Sequence, residues 1–204
     1  MFTGIVAAVG RIRKVEPIAE GSGMRLQVEA GALDLSDVRI GDSIAIQGAC
    51  MTVVGLADDG FDVDVSRESL GLTAGLDAPG DVNLEKAMTL ADRLGGHLVS
   101  GHVDGLGEVV RFEPVGESRL LEIRVPDGLA RFFAYKGSVT VDGVSLTVNR
   151  VRDEPPGTVI AINLIPHTME VTTLGRLAPG ARVNLEVDQI ARYVDRILQL
   201  RQGD

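Results

Sequence analysis

Two side chains that can do chemistry hold the same place in a repeated stretch of this sequence. Cys50 lies in Gly48-Ala49-Cys50-Met51-Thr52-Val53, and Ser145 lies in the matching stretch Gly143-Val144-Ser145-Leu146-Thr147-Val148. A thiol can act as a polar or nucleophilic group, although a lone cysteine is more often a small buried side chain. Because the twin position carries a polar serine, we interpret the two stretches as two related binding pockets rather than two cores.

His102 is a candidate for proton transfer, and the first half carries Ile5 at the corresponding place. An imidazole has an ordinary pKa of about 6.5 and can donate, accept or carry a proton near neutral pH, which suits general acid–base work. The alternative is a structural histidine whose hydrogen bonds are satisfied. His97, which follows a pair of glycines, has a weaker claim, and His167 is predicted to lie on the rim of the second pocket.

The other polar residues near these positions have ordinary structural interpretations. Thr52 and Thr147 place hydroxyls beside the two turns, where contacts with the local backbone are the usual role. Lys136 is typical of a solvated surface, and Asp188 precedes a predicted helix, where the default role is the N-cap. None of these residues predicts a function by itself.

Composition excludes several classes of function. The 204 residues carry a formal net charge of −9 without a cluster of basic residues, which argues against nucleic-acid binding. No run approaches the roughly 18–20 apolar residues that a membrane span needs, and the first residues lack the features of a secretory signal. Three histidines and one cysteine show no metal-ligand spacing, so no metal site is expected. A single cysteine cannot form an internal disulfide, which fits a cytoplasmic protein.

The repeat divides the chain into two units. Gly48 recurs as Gly143, an offset of 143 − 48 = 95 residues, and Val82-Asn83-Leu84-Glu85 recurs as Val183-Asn184-Leu185-Glu186. A unit of this length is too long for a solenoid repeat, so each copy is expected to be a small domain with its own core. We predict an N-terminal domain over residues 1–96, a C-terminal domain over 97–188 and a terminal helix over 189–204.

Short alternating segments between glycine turns predict strands in both units, as in Phe61-Asp62-Val63-Asp64-Val65. About six such strands in each unit, without alternating helices, favour an all-β fold of two tandem six-stranded antiparallel barrels of the Greek-key type. The last helix has most of its apolar residues on one stripe. That stripe either covers a barrel or forms a seam with the same helix of other subunits.

A series of short motifs runs through nearly the whole chain in a consistent order. They are Met1-Phe2-Thr3-Gly4-Ile5-Val6, Gly48-Ala49-Cys50-Met51-Thr52-Val53, Gly95-Gly96-His97-Leu98-Val99-Ser100-Gly101-His102-Val103, Lys136-Gly137, Asp142-Gly143-Val144-Ser145-Leu146-Thr147-Val148, Ile165-Pro166-His167-Thr168, Thr172-Thr173-Leu174-Gly175 and Val183-Asn184-Leu185-Glu186-Val187-Asp188. In these motifs the chain resembles the riboflavin synthase family, the alpha-chain type with two lumazine-binding repeats.

The resemblance implies two six-stranded barrels and a dismutation that needs no cofactor. Two molecules of 6,7-dimethyl-8-ribityllumazine exchange a four-carbon unit and give riboflavin and 5-amino-6-(D-ribitylamino)uracil, the last step of riboflavin biosynthesis. The resemblance also implies a homotrimer held by the C-terminal helices, with two substrates in each site between the N-terminal barrel of one subunit and the C-terminal barrel of its neighbour. Lumazine synthase is a candidate partner.

By position, the resemblance implies two pockets and a set of roles. The first pocket is expected to contain Phe2, Gly4, Ile5, Val6, Cys50, Met51, Thr52, Asp64, Val65, Ser66, Arg67, Glu68 and Ser69. The second is expected to contain Gly101, His102, Val103, Lys136, Ser145, Leu146, Thr147, Asn163, Leu164, Ile165, Pro166, His167 and Thr168. Phe2 is expected to cover a ring, Cys50 to act at the acceptor ring and His102 to shuttle protons. Ser145, Thr147 and Asp188 are expected to assist.

Two departures and two other functions stay open at this point. Gln47 stands where Asn is common in the family, and Ala49 stands where some relatives have a second cysteine. A lumazine or flavin antenna protein would bind ligand on the same fold without turnover, whereas a generic small-barrel module would bind oligonucleotides or sugars. The charge and the motifs disfavour the generic module. The sequence leaves open which barrel holds the donor.

Overall fold

The first half of the chain closes into a barrel. The computed structural model describes residues 1–18, 21 and 23–201. The strands of this half are β1 (Ala8–Pro17), β2 (Gly23–Glu29), β3 (Ser43–Ile46), β4 (Ala49–Ala57), β5 (Gly60–Ser66) and β6 (Gly80–Lys86). All neighbours pair antiparallel in the order β1-β2-β5-β4-β3-β6, and β6 closes the ring by pairing with both β1 and β3. The predicted six-stranded barrel is confirmed for this half.

The second half repeats this order with one strand broken. Its strands are β7 (Gly105–Val115), β8 (Ser118–Val125), β9 (Ser138–Val141), β10 (Val144–Thr147), β11 (Arg150–Glu154), β12 (Gly157–Leu164) and β13 (Arg182–Val187). They form a seven-stranded sheet in the order β10-β9-β13-β7-β8-β12-β11. β10 and β11 together correspond to β4, and the break falls at Val148 and Asn149, whose N–H groups donate to Gly137 and Ala161. The predicted six-strand pattern recurs here with one strand split into two, so the sheet has seven strand segments.

The interior of each half is filled by its own apolar core. Side chains on successive residues of a strand point to opposite faces, so alternate residues enter the core. In the first half Leu26, Ile44 and Phe61 are buried within it, and in the second Leu121 and Ile160 are. On β2 and β5 the residues that alternate with the core side chains face the outer wall, where Arg25 and Asp64 are exposed. A ligand would therefore bind outside the barrels and not within them.

Three short or terminal helices complete the described structure. They are α1 (Arg67–Leu72), α2 (Pro166–Val171) and α3 (Gln189–Arg201), and 3-10 turns cover Asp127–Phe132 and Thr173–Arg176. The predicted terminal helix is confirmed as α3 over residues 189–201, and the last part of that prediction, residues 202–204, lies outside the described residues. Its polar face is tied to the second half, since Arg192 pairs with Asp104 at 2.8 Å and Arg131 pairs with Asp195 at 3.2 Å. The described helices include none that is long and apolar enough to cross a membrane.

The apolar stripe of α3 faces solvent instead of a barrel. Its large apolar side chains are about half exposed or more, and they are Ile190, Tyr193, Val194, Ile197, Leu198 and Leu200. The sequence predicted either that this stripe covers a barrel or that it packs against the same helix of other subunits. In the described structure the stripe does not cover its own barrel. The stripe is left available to another chain.

Candidate active site

Cys50 and Ser145 stand on the outer walls of the two halves. On β4, Ala49, Met51 and Val53 point into the core, so Cys50 and the exposed Thr52 point outward. Ser145 and Thr147 hold the same positions on β10, where Ser145 is half-buried and Thr147 is exposed. The strand alternation that fills the cores thus places both pairs of polar side chains on the surface of the barrels.

Each of these side chains lies beneath a glycine turn that comes from the opposite half. The Cys50 N–H donates to the carbonyl of Gly101, and the Ser145 N–H donates to the carbonyl of Gly4, both at 2.7 Å. Both glycines have positive φ angles, +77° and +74°. A Cβ atom on Gly101 would lie 2.7 Å from the Cys50 Cβ, and one on Gly4 would lie 2.6 Å from the Ser145 Cβ. Glycine is required at both crossings by the backbone conformation and by the close approach.

Two buried carboxylates hold these turns in place. Glu85 accepts from the N–H groups of residues 3 and 4, at 2.7 and 3.0 Å. Glu186 accepts in the same way from residues 100, 101 and 102, at 2.6, 2.9 and 3.0 Å. Burial raises the pKa of both carboxyl groups, and the backbone hydrogen bonds oppose that rise. Sequence analysis noted both glutamates as repeat markers and missed this role.

The crossings correct the predicted grouping of the two pockets. Gly4, Ile5 and Val6 were expected beside Cys50, yet this segment lies on Ser145, and Val6 packs against the second core. The segment 101–103 was expected beside Ser145, yet it lies on Cys50, and Val103 packs against the first core. The reason is that Cys50 and Ser145 each donate a backbone N–H to the leading segment of the other half, which is residues 98–104 for Cys50 and residues 1–7 for Ser145.

Cys50 packs among apolar side chains. Phe2, Ala45 and Val99 form a small buried cluster with Cys50 against it. The two leading segments meet there, because Phe2 and Val99 exchange backbone hydrogen bonds of 2.8 and 3.1 Å. Phe2 is 0% exposed, so its ring has no free face for a ligand and the prediction that it covers one is corrected. Its place is in the junction between the halves.

Ser145 has polar surroundings instead. Its Oγ lies 2.7 Å from Nδ1 of His97, and Nε2 of His97 lies 3.3 Å from Oγ1 of Thr140. Burial lowers the pKa of His97, while the charge of Asp188 acts in the opposite direction. His97 therefore has a stronger structural tie to the candidate site than its place in the sequence suggested.

The outer surface beside Cys50 is here called the first groove, and its rim is polar and exposed. Asp64 makes a two-pronged ion pair with Arg25, with N···O distances of 2.7 and 2.8 Å, and this contact lowers the Asp64 pKa. Ser66 is the N-cap of α1, and its Oγ accepts from the N–H of Ser69 at 3.0 Å. These contacts order the rim while leaving the remaining polar atoms open to a ligand.

The outer surface beside Ser145 is here called the second groove, and its rim has the same layout. Asn163 is exposed at the end of β12, and the exposed His167 lies in α2, which begins at Pro166 as α1 begins at Arg67. Lys136 is exposed with a positive φ of 64°, and its Nζ lies 5.4 Å from the centre of the Tyr135 ring. Most of the predicted side chains are thus exposed or half-buried at the surface.

Some predicted side chains do not face a groove. Met51, Val65 and Leu164 are buried in the cores, and Leu146 packs partly against the second core. Their side chains cannot contact a ligand on the outer wall, because strand alternation turns them inward. Only the backbone of these residues remains available at the grooves.

Asp188 combines two roles. Its Oδ1 accepts from the N–H of Ile190 at 2.9 Å, so it caps α3 as its position suggested. Its charge also acts on the imidazole of His97. The residue is therefore near the polar cluster of Ser145 without a hydrogen bond to Ser145 among the described residues.

A separate cavity lies beside the first half. Its volume is about 770 Å³, and it is bounded by the segment 3–7, the loop 37–44 and the linker 85–95. Of the predicted site residues, Ile5 alone lines it among the residues that the structure describes. This cavity is distinct from the grooves at Cys50 and Ser145.

The two halves also meet at a buried seam. Gly48 and Gly143 approach so closely that a Cβ on Gly48 would lie 2.6 Å from the Gly143 nitrogen. The Asn83 side chain donates to the carbonyl of Asp142 at 2.8 Å, and the Asn184 side chain donates to the carbonyl of Gln47 at 2.9 Å. This reciprocal arrangement fixes the orientation of one half against the other.

Comparisons with known proteins agree with this architecture. Residues 3–87 and 100–188 each match the lumazine binding domain. The chain is 46% identical to a riboflavin synthase of Photobacterium phosphoreum over 200 residues, which cover 97% of this chain and 89% of that protein. It is 41% identical to a riboflavin synthase of Brucella abortus (strain 2308), covering 99% and 100% of the two chains. It is 44% identical to one of Mycobacterium tuberculosis (strain ATCC 25618 / H37Rv), covering 98% of each.

Solved structures show the same fold. The crystal structure of LumP complexed with 6,7-dimethyl-8-(1'-D-ribityl) lumazine matches with a TM-score of 0.78 at 24% identity, covering 92% of this chain and 99% of that one. The crystal structure of LumP complexed with riboflavin matches with a TM-score of 0.79 at 25% identity and the same coverage. The sequence-based recognition of two lumazine-binding repeats is confirmed.

Proposed function

Because this chain belongs to the riboflavin synthase family, we propose that it converts two molecules of 6,7-dimethyl-8-ribityllumazine into riboflavin and 5-amino-6-(D-ribitylamino)uracil. A four-carbon unit passes from one molecule to the other, so one ring is the donor and the other is the acceptor. The observation that carries the proposal is the pair of grooves with one backbone frame and different side chains at Cys50 and Ser145. Two copies of one substrate can bind alike there and still be treated differently.

Proximity is the main source of catalysis in this proposal. Holding two rings face to face turns an encounter of two molecules into one oriented complex, which is worth up to roughly 7–11 kcal/mol in well-aligned reactions. The chain then has to place hydroxyl, thiol and imidazole groups at the reacting atoms. In the proposed roles Cys50 acts at the acceptor ring and His102 shuttles protons, while Ser145, Thr147 and Asp188 assist.

The grooves also support a shared site. They lie on outer walls, so a bound ring would stay open to water on one face until another surface covers it. We assign this surface to a second subunit, with the first half of one chain facing the second half of its neighbour. The exposed apolar stripe of α3 supports a homotrimer held by these helices, because large exposed apolar patches mark association surfaces.

Several further assignments belong to the same proposal. The domains span 1–96, 97–188 and 189–204, with the leading segments 1–7 and 98–104 exchanged between the first two. The protein acts in the cytoplasm, in line with its single cysteine. Lumazine synthase is a candidate partner because it would supply the substrate.

Turnover of the lumazine alone tests the proposed function. Purified protein mixed with 6,7-dimethyl-8-ribityllumazine should lose lumazine absorbance and gain flavin absorbance, with two lumazines consumed for each riboflavin formed. Tight binding without turnover would replace the enzyme by an antenna protein of the same fold.

Two substitutions test the proposed roles. Cys50→Ser and His102→Gln should lower kcat more than they weaken ligand binding, because both are assigned to the chemical step. Unchanged turnover in both variants would remove these residues from the mechanism. Val54→Ala, an exposed change on the same strand, serves as the control for substitution on this wall.

Truncation tests the shared site. A chain that ends after Asp188 lacks α3 and should be monomeric in solution, with little activity. A fully active monomer would contradict the model in which two subunits build one site.

A further inference from the structure

The hydroxyl of Ser145 sits at the end of a short chain of polar groups in the second half. His97 bridges Ser145 and Thr140, at 2.7 Å from Nδ1 and 3.3 Å from Nε2. Gly96 lies so close that a Cβ there would be 2.8 Å from the Ser145 Oγ. The serine side chain is therefore confined on one side by the backbone and on the other by the imidazole.

The number of donors and acceptors determines which atom donates in each hydrogen bond of this polar series. Thr140 is 1% exposed, and its hydroxyl has Nε2 of His97 as its one hydrogen-bond partner among the described residues. A buried O–H needs an acceptor, so Thr140 donates and Nε2 carries no hydrogen. Burial favours the neutral imidazole, so its single N–H is at Nδ1. Nδ1 then donates to Ser145, whose own hydrogen remains for another acceptor.

Among its described residues, the first half has no such series of polar groups. Ala45 and Cys50 hold the places of Thr140 and Ser145, and the neighbours of Cys50 are Phe2 and Val99. The polar chain is thus confined to one of two otherwise matched grooves.

We propose that His97 is a positioning residue that holds Ser145 as a hydrogen-bond donor toward a carbonyl oxygen or ring nitrogen of the substrate bound at the second half. This inference rests on the proposed function and deepens it, since it names the group that makes the two grooves bind the same ring unequally. His97 acts through Ser145 and does not itself touch the ring.

A double-mutant cycle tests the proposal. Removal of the imidazole in His97→Leu should lower kcat/KM about tenfold, which is the loss expected for one hydrogen bond. Ser145→Ala should cause a similar loss. The double variant should be no worse than either single variant, because both changes remove one contact.

Rescue and a matched control separate positioning from folding. His97→Asn keeps an amide N–H near the place of Nδ1 and should recover most of the activity. Thr158→Val removes another buried hydroxyl of the same half, which donates to Asp153 at 2.7 Å, and should leave kcat/KM unchanged. Full additivity of His97→Leu and Ser145→Ala, or failure of His97→Asn to recover activity, would overturn the proposal.

Ligand binding keeps the two proposals distinguishable. The same cycle is measured on the Kd of riboflavin by fluorescence, where the two single variants should again fail to add. A wild-type chain without turnover would overturn the proposed function, while the binding cycle would still decide the role of His97. An active wild type with independent effects at the two residues would overturn only the role of His97.

Discussion

Cys50 and Ser145 occupy matched positions in the two halves. Their backbones make equivalent hydrogen bonds, whereas their side chains have different contacts. Each donates its N–H to a glycine of the opposite half at 2.7 Å, and each glycine turn is held by a buried glutamate. Cys50, however, packs on Phe2 and Val99, whereas Ser145 bonds to His97. The duplicated parts of the molecule are the ones that set position, and the divergent parts are the ones that set chemistry.

This division explains how one frame can serve two roles. The glycine turns and their backbone hydrogen bonds set the position of each groove, so a change to either turn would displace a ligand bound there. The side chain below each glycine can change without moving the backbone. The two halves can therefore hold the same ligand in related poses while presenting an apolar thiol pocket in one and a polar hydroxyl pocket in the other.

The apolar junction should be the most sensitive point of the comparison. Phe2→Ala removes a fully buried ring from the cluster beneath Cys50 and should lower the free energy of unfolding by about 3–5 kcal/mol. Urea unfolding followed by circular dichroism measures this loss. Phe2→Leu, which keeps most of the buried volume, should cost clearly less. A loss below 1 kcal/mol for the alanine variant would show that the junction does not support the fold.

The two glycine crossings should respond equally. Gly101→Ala and Gly4→Ala each place a Cβ within 2.7 Å of the opposite half at a positive φ. Strain and overpacking together should cost about 2–4 kcal/mol in each variant. Gly41→Ala is the control, because Gly41 has a φ of +97° but nothing within 4 Å of the added atom. Its cost should be about 1 kcal/mol, from strain alone.

A difference of more than about 1 kcal/mol between Gly101→Ala and Gly4→Ala would break the equivalence of the two backbone frames. Equal losses in all three glycine variants would show that the close approach contributes nothing beyond the backbone conformation. Both results come from the same unfolding measurements.

The seam contains a second mismatch, between Asp142 and Gln47. Each side chain accepts from the backbone N–H of an asparagine, Asp142 from Asn184 at 2.8 Å and Gln47 from Asn83 at 3.0 Å. Complete burial raises the pKa of Asp142 from its ordinary 3.8 to about 7, although hydrogen bonds from Asn184 and Gln47 oppose the rise. Asp142 should therefore make the stability of the fold depend on pH, whereas Gln47, at the matching position of the first half, carries no titratable group.

The sign of that response follows from proton binding. Below about pH 4 the Asp142 carboxyl is protonated in both folded and unfolded chains, so it contributes no pH dependence. Between about pH 4 and 7 the unfolded chain loses the proton and the folded chain keeps it, so stability falls as the pH rises. Asp142→Asn keeps an acceptor for Asn184 and removes the titration.

Wild type should therefore lose about 1–3 kcal/mol of unfolding free energy relative to Asp142→Asn between pH 4 and 7. Urea unfolding of both proteins across this range measures the difference, in which the other carboxyl groups cancel. A difference that stays constant with pH would show that Asp142 is ionised in the folded chain.

The sequence predicted these halves and their twin positions but not their crossings. The repeat paired Cys50 with Ser145 directly, and alternation predicted the strand over residues 61–65, which lies within β5. The contact between Gly4 and Ser145 spans more than half of the chain, and both leading segments carry a hydroxyl residue followed by glycine, Thr3-Gly4 in one and Ser100-Gly101 in the other. Either segment fits either barrel on pattern alone, so only the folded backbone distinguishes them.

On sequence alone His97 had a weaker claim than His102 for a related reason. The comparison of halves exposes residues that differ between two copies, whereas the contact of His97 with Ser145 joins residues 48 positions apart that share no repeat motif. The broken strand at Val148 and Asn149 was missed because its residues read as one continuous segment. Both features depend on contacts with distant strands, which local periodicity does not report.

The smallest effect should come from the charges that bridge the halves at the surface. Asp81 pairs with Arg11 of its own half at 2.8 Å and with Arg176 of the other, and these contacts lower its pKa. Asp81→Asn should cost no more than about 1 kcal/mol, because exposed ion pairs are screened by water and salt. Raising the salt concentration in urea unfolding should shrink even that difference. A loss above 2 kcal/mol would show that the surface charges, rather than the buried backbone seam, make the main connection between the halves. The matched glycine crossings would then not be the contacts that hold the two grooves in register.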